Sequence, residues 1–147
     1  MTDHKVLLFL DFDGVLHPYP LRIGGPYLFH QVPRLQEILK EFPEVGVVVH
    51  SSWRTVPQYE GDDGIPEFLQ IGNAYLGITN PDILSRWESI ASWLRNDDRP
   101  YVILDDFGSS FPTEARSNLI CTEGILGMTE ENWQELRRRL QGFRDAA

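Results

Sequence analysis

Residues 5–16, KVLLFLDFDGVL, constrain this chain more than any other segment. The apolar part is short, rich in Val, Leu and Phe, and polar at its ends, which is the pattern of a strand buried on both faces. It stops abruptly at two aspartates two residues apart, followed at once by a glycine. Side chains alternate along a strand, so Asp11 and Asp13 are expected to leave its carboxyl end pointing the same way. Two carboxylates that close repel each other unless a cation or a shared proton intervenes. Packing needs no such pair at the tip of a central strand, whereas hard-cation chemistry does. Gly14 supplies the free backbone that a sharp exit requires. A calcium loop of the EF-hand kind does not fit, because Val15 and Leu16 stand where further oxygen ligands belong and no amphipathic helix precedes Asp11.

The rest of the chain alternates helix and strand signals. Residues 17–31 form a loop punctuated by Pro18, Pro20, Gly24, Gly25 and Pro26, with Tyr19, Tyr27 and Phe29 between them. Pro33 suits the first turn of a helix whose apolar stripe is Leu35, Ile38, Leu39 and Phe42. Residues 45–50, VGVVVH, read as a second buried strand running straight into Ser51, Ser52, Trp53 and Arg54. Residues 55–64 are acidic and loop-like, 65–71 a short helix, and 74–79 a short edge strand. Ser85, with Glu88 three residues on, reads as a capping box opening a helix with Trp87, Ile90, Ala91 and Leu94 on its core side. Residues 101–104 are the next strand, ending in Asp105 and Asp106, and 119–121 the fifth. Thr129 caps a final helix with Glu130 and Glu131 in its first turn and Arg137, Arg138 and Arg139 expected in its last, an order that complements the helix dipole. Those arginines read as a solvated helix end.

Composition is consistent with one catalytic domain over residues 1–147. The chain is 41% hydrophobic with four tryptophans, enough for a single real core. Its net charge of -9 disfavours long nucleic-acid tracts and anionic membranes, while leaving room for a local basic pocket. The one cysteine, Cys121, rules out an internal disulfide and is expected to be buried. No signal peptide precedes Lys5 and no apolar run is long enough to span a membrane, so a cytoplasmic location is expected.

Strands alternating with helices imply a doubly wound, three-layer α/β sandwich around a mostly parallel five-stranded sheet. Right-handed crossovers place every strand's carboxyl end on one edge. That edge carries Asp11 and Asp13, then Ser51, then Asp105 and Asp106. Open α/β sheets bind ligands there, where the winding reverses.

Asp-Phe-Asp-Gly-Val-Leu resembles the first motif of the haloacid dehalogenase (HAD) superfamily of phosphohydrolases. The resemblance implies that Asp11 is a nucleophile that becomes phosphorylated, that Asp13 is the general acid and base, and that both help to hold magnesium. Ser51 matches the second motif, a hydroxyl that holds phosphoryl oxygens, with Ser52 beside it; a plain helix cap is the other reading of these serines. The third motif is a basic residue, for which Arg86 and Arg54 both qualify. Asp105-Asp106 in VILDDF matches the fourth, with Asp106 expected to bind magnesium directly and Asp105 behind it or sharing the ligation. The layout LDFDGVLHP, VVVHSSWR, SRWESIASWL and VILDD is similar to the HAD domain of Swiss Army Knife RNA repair proteins over roughly residues 5–121, and His17, Trp53 and Trp87 belong to that similarity.

The resemblance implies a two-step reaction. Asp11 attacks phosphorus while Asp13 protonates the leaving oxygen; Asp13 then activates water against the phosphoaspartate. Magnesium offsets the repulsion between an anionic ester and an anionic nucleophile. Residues 17–31 are of flap size and 55–84 too short for a large cap domain, so an open site is expected. Open sites suit phosphates on large molecules, a polynucleotide end being the first to consider, with Tyr19, Tyr27 and Phe29 available for stacking. The alternative is a catalytically inactive module of the same fold that binds phosphate or a partner. A receiver domain does not fit, since it would want two adjacent acids after the first strand, a single aspartate after the third and a lysine after the last, whereas this chain has DxD first, DD later and no lysine beyond Lys40.

Overall fold

The computed structural model describes residues 4–55 and 64–147. Most of the segment read as an acidic loop, residues 56–63, lies outside the described residues. The chain folds as an α/β sandwich with a five-stranded parallel sheet in the order β3-β2-β1-β4-β5. β1 (Val6–Leu10) pairs with β2 (Val45–Val49) and with β4 (Tyr101–Asp105); β3 (Tyr75–Ile78) and β5 (Leu119–Cys121) form the edges. The winding reverses at β1, where the strands run outward in both directions. Every residue of β1 and β2 is buried, as expected for central strands of a parallel sheet.

Alternation along β1 divides the core into two layers. Val6, Leu8 and Leu10 face the cluster closed by α1 (Val32–Glu41), α2 (Ile65–Leu69) and α5 (Glu130–Ala146). Leu7 and Phe9 face the cluster closed by α3 (Arg86–Leu94) and α4 (Thr113–Arg116). Full burial of each such side chain contributes roughly 1.5–3 kcal/mol before the cost of ordering the chain. Helices therefore cover both faces, and only the strand ends are left for polar chemistry.

The helix signals resolve locally. α1 has Pro33 in its first turn and buries Val32, Leu35, Ile38 and Leu39, with Phe42 buried at its end. Ser85 caps α3 by accepting from the Glu88 amide, and Ile90 is fully buried while Trp87 and Leu94 pack at the margin of its cluster. Thr129 and Asn132 form a reciprocal capping box on α5.

Two expectations are corrected. α5 continues to Ala146, so Arg137, Arg138 and Arg139 lie in its middle and Arg144 occupies the last turn. The apolar positions Trp133, Leu136 and Leu140 carry the helix past the arginines. These arginines pair with Glu41 and Glu135 and with the Ser117 carbonyl. Cys121 is exposed rather than buried, because it is the last residue of an edge strand and no helix covers it.

Candidate active site

The parallel sheet brings the ends of β1, β2, β4 and β5 together on one edge. β1 stops at Leu10, and the Phe12 carbonyl accepts from the amides of Val15 and Leu16, closing a tight turn. Gly14 stands in that turn at φ 77°, and a Cβ there would come within 2.3 Å of the Asp106 carboxylate. Glycine is therefore required on two counts. The Gly14 carbonyl accepts from Thr122 Oγ1 at 2.6 Å, tying the turn to the end of β5.

The turn separates the two aspartates that simple alternation would have aimed together. Asp11 faces β4: it, Asp105 and Asp106 each offer a carboxylate oxygen within 4.8 Å of one another, and the carboxylate of Asp13 is not part of this group. Arg86, the first residue of α3, reaches into it. Its Nη1 lies 2.7 Å from Asp11 Oδ2, 2.7 Å from Asp105 Oδ1 and 3.6 Å from Asp106 Oδ1. The guanidinium also lies over the Phe107 ring, 5.6 Å from its centroid.

Arg54 does something different. It is buried, and donates to the carbonyls of His50, Ser51 and Ile83 at 2.6–2.9 Å, pinning the end of β2 to the segment before α3. Of the two candidate cations, Arg86 alone is hydrogen-bonded to the carboxylates. Ser51 is buried at the same strand end, and its Oγ accepts from the Trp53 amide at 3.2 Å. That bond uses an oxygen lone pair and leaves the hydroxyl proton free to donate. Ser52 is exposed.

The adjacent acids of β4 are in opposite conditions. Asp105 is fully buried and saturated: Oδ2 meets His50 Nε2 at 2.7 Å, and Oδ1 accepts from Arg86 and from the Phe107 amide at 2.8 Å. Asp106 keeps a buried Oδ1 with no hydrogen-bond partner among the described residues. Its Oδ2 lies where Cβ atoms at Gly14 or Gly124 would stand, at 2.3 and 2.7 Å. Two glycines thus clear a cradle around a carboxylate that is short of partners.

Electrostatics follows from this arrangement. Burial, then the charge of Asp105, push Asp11 above the ordinary carboxylate range, with His50, Arg86 and the Phe12 amide acting the other way. Burial and the charges of Asp11 and Asp105 raise Asp106 to about 6. Burial would raise Asp105 too, but the hydrogen bond from His50 and the charge of Arg86 hold it low. Arg86 resists its own burial because Asp105 and Asp11 favour its charged form. The cluster has more negative charge than Arg86 offsets. An orphaned oxygen, a glycine-lined cradle and three converging hard carboxylates fit a small divalent cation.

Asp13 belongs to a second group. Its Oδ1 is 2.7 Å from His17 Nε2 and 3.1 Å from Trp53 Nε1. Burial alone would raise its pKa, but these hydrogen bonds lower it. Phe29 and Phe12 pack around the same imidazole and indole. Phe29 is therefore part of the site's wall, whereas Tyr19 and Tyr27 are exposed. Trp87 packs against Phe111 in the opposite core layer.

His50, Thr122 and Gly124 were not singled out in the sequence. His50 had a readable signal, a lone polar residue between a buried strand and Ser51. Thr122 and Gly124 had none, since Thr122 acts on Gly14, 108 positions away, and Gly124 on the Asp106 carboxylate across the ends of two strands.

Among the described residues, the exposed large hydrophobic side chains are Tyr19, Leu21, Ile23, Tyr27 and Leu28 after β1, Leu84 after β3, Phe107 after β4, and Ile125 and Leu126 after β5. All nine follow the carboxyl ends of strands. From Gly14 to Gln36 the chain carries no acidic residue, despite its net charge of -9. Nothing in the described residues forms a separate cap over the carboxylates, and no described helix is long and apolar enough to cross a membrane.

No curated protein matches the chain. The family model described as the HAD domain in Swiss Army Knife RNA repair proteins matches residues 7–133, from the second residue of β1 through all of β5, and includes every residue of the carboxylate site. The match, the sheet order and the acids at the ends of β1 and β4 agree: the chain belongs to this family of HAD domains, within the phosphatase-type hydrolases of the HAD fold.

Proposed function

We propose that the protein is a magnesium-dependent phosphomonoester hydrolase working through a phosphoaspartate on Asp11. The observation that carries this reading is the division of labour among the acids. Asp11, Asp105 and Asp106 converge on one point, while Asp13 is held apart by its own donors. A lone metal-binding cluster has no need of the fourth acid. A two-step phosphoryl transfer needs a nucleophile near a cation and a separate proton donor.

The residues divide the work as follows. Asp11 and Asp106 would hold magnesium with the main-chain carbonyl of Asp13, and Asp105 supports them from behind through His50 and Arg86. When bound, the cation neutralises charge on the phosphoryl oxygens and on the attacking carboxylate. Asp11 Oδ attacks phosphorus, the bond to the ester oxygen breaks, and Asp13 gives that oxygen its proton. Water then attacks the acyl phosphate, Asp13 takes the water's proton, and inorganic phosphate leaves with Asp11 regenerated. Ser51 and Arg86 donate to the spread charge of the transferring group. Arg86 is well placed for this because no hydrogen bond other than those to Asp11 and Asp105 engages it among the described residues.

The substrate in this reading is a phosphate at the end of a large molecule, a polynucleotide end in particular. The edge, which no separate cap covers among the described residues, admits such a chain end. The exposed Tyr19, Tyr27 and Phe107 offer faces on which bases stack, and the acid-free stretch from Gly14 to Gln36 spares the substrate repulsion. Recognition would reach only a nucleotide or two beyond the phosphate, since a chain of net charge -9 does not track a long phosphate backbone.

The test is phosphate release, with and without magnesium, from p-nitrophenyl phosphate, sugar phosphates, free nucleotides and end-phosphorylated oligonucleotides. The expected result is magnesium-dependent release with kcat/KM highest for the oligonucleotides. No release from any of them would sink the hydrolase reading in favour of an inactive binding module. A small metabolite ahead by tenfold or more would sink the substrate class alone.

A further inference from the structure

We infer that His17 is a positioning residue that fixes which oxygen of Asp13 exchanges protons with the substrate. The inference rests on the hydrolase reading above and adds to it a residue and an atom.

His17 is buried beneath the loop that follows β1, with 1% of its surface exposed. Its Nδ1 accepts from the Phe29 main-chain N–H at 3.2 Å. A backbone amide only donates, so Nδ1 carries no hydrogen and the imidazole proton sits on Nε2. Nε2 faces Asp13 Oδ1 at 2.7 Å, so the contact is a donation to the carboxylate. The Trp53 indole N–H, also donor only, points at the same oxygen from 3.1 Å. Two donors on Oδ1 exclude a proton from it. When Asp13 holds a proton, that proton sits on Oδ2, which has no hydrogen-bond partner among the described residues. The Asp13 side chain keeps 31% exposure, so this oxygen can meet a ligand.

The arrangement is held from several sides. The Phe29 ring lies 4.8 Å from the imidazole, edge to face, and also contacts Phe12 and Trp53. Phe29 sits at φ 58°, a left-handed conformation that costs a non-glycine residue roughly 1–2 kcal/mol. Strain of this kind persists where surrounding contacts over-determine the backbone, and it clusters at working sites. Here its amide is the group that selects the tautomer of His17. The chain of dependence runs from Phe29 to His17 to Asp13 Oδ1, and so to Oδ2.

In the first step the proton on Oδ2 moves to the departing ester oxygen as the P–O bond breaks and the Asp11–P bond forms. In the second, a water proton returns to Oδ2 as the water oxygen bonds to phosphorus. A misdirected Asp13 harms the first step most when the leaving group is a poor one, because an alkoxide cannot depart unprotonated.

Two aromatic esters of similar shape separate this from a merely structural histidine. p-Nitrophenyl phosphate loses a stable phenolate and needs little help; benzyl phosphate loses an alkoxide. His17→Leu is expected to lower kcat for benzyl phosphate roughly 10²-fold and kcat for p-nitrophenyl phosphate about threefold or less, with KM little changed. His17→Gln, whose amide can donate to Oδ1, should recover much of the difference. Equal losses on both esters in His17→Leu, or a benzyl-specific loss in His17→Gln as large as in His17→Leu, overturn the inference while leaving the hydrolase reading in place. Hydrolysis of neither ester by the unmodified protein is a failure of that reading instead. A second readout needs no variant and no turnover: ¹⁵N-edited spectra of the metal-free protein should show the His17 hydrogen on Nε2 and none on Nδ1. A hydrogen on Nδ1 overturns the assignment.

Discussion

The molecule contains two histidine–aspartate pairs, both with Nε2 2.7 Å from a carboxylate oxygen, and they are built for different ends. His50 and Asp105 are fully buried, and Asp105 has every oxygen committed, to His50, Arg86 and the Phe107 amide. His17 is equally buried, but Asp13 is 31% exposed and has one oxygen held and one free. The same contact thus serves as a closed electrostatic joint in one place and as an aiming device in the other. Burial decides which: a carboxylate sealed from water and saturated can only stabilise its neighbours, while one with a wet, unpaired oxygen can exchange protons.

Removing Asp11, the proposed nucleophile beside the closed pair, should have the largest effect. Asp11→Asn keeps the shape but loses both charge and nucleophilicity, and should cut phosphate-ester hydrolysis by at least roughly 10³-fold. Its thermal melt should be no lower than that of the unmodified protein, because the change relieves carboxylate crowding. Residual turnover within tenfold, on correctly folded protein, would exclude Asp11 as the attacking group.

The pairs themselves can be set against each other in stability. His50→Leu leaves the buried Asp105 short of a donor and should cost about 3 kcal/mol in urea unfolding. His17→Leu should cost closer to 1 kcal/mol, because Asp13 keeps the Trp53 donor and reaches water. If the two variants lose the same stability, burial is not what distinguishes the pairs.

The smallest effect is a pH dependence of the metal-free protein. Asp106 binds its proton more tightly when folded, with a pKa near 6 against 3.8 for the free side chain, and Asp11 is shifted in the same direction. Between those values the folded state holds more protons than the unfolded one, so stability falls as pH rises from about 4 to 6. Asp13 and Asp105 are shifted the other way, so their contributions are lost only at lower pH, as it falls through their folded values. Melts in EDTA should therefore be a few degrees higher near pH 5 than near pH 7.5. Magnesium should remove the deficit at the higher pH. Asp106→Asn should flatten the slope and abolish most of the magnesium response; an unchanged response would place the ion elsewhere.

Much of the molecule was legible from local signals. Buried strands in residues 5–10 and 45–49, and caps at Ser85 and Thr129, followed from short-range pattern and hydrogen-bonding chemistry. The end of α5 was not legible from the dipole argument, because three arginines suit mid-helix as well as a helix end, while Leu136 and Leu140 continue the buried stripe on the other face of the same turns. Cys121 was misread because an apolar neighbourhood in sequence does not tell whether an edge strand is covered.

The sequence by itself determined which residues gather at the site, because a parallel sheet with right-handed crossovers has only one edge for its strand ends. Asp11, Asp13, Ser51, Asp105 and Asp106 had to meet there. Only the tertiary structure decided how they divide. It chose Arg86 over Arg54 as the cation at the carboxylates, left Asp106 rather than Asp105 with an oxygen that no hydrogen bond reaches among the described residues, and turned Asp13 away from Asp11 toward His17 and Trp53. Those choices depend on side chains from different strand ends competing for the same few hydrogen bonds, and the number of donors each acid finds is a property of three-dimensional packing that no local pattern encodes.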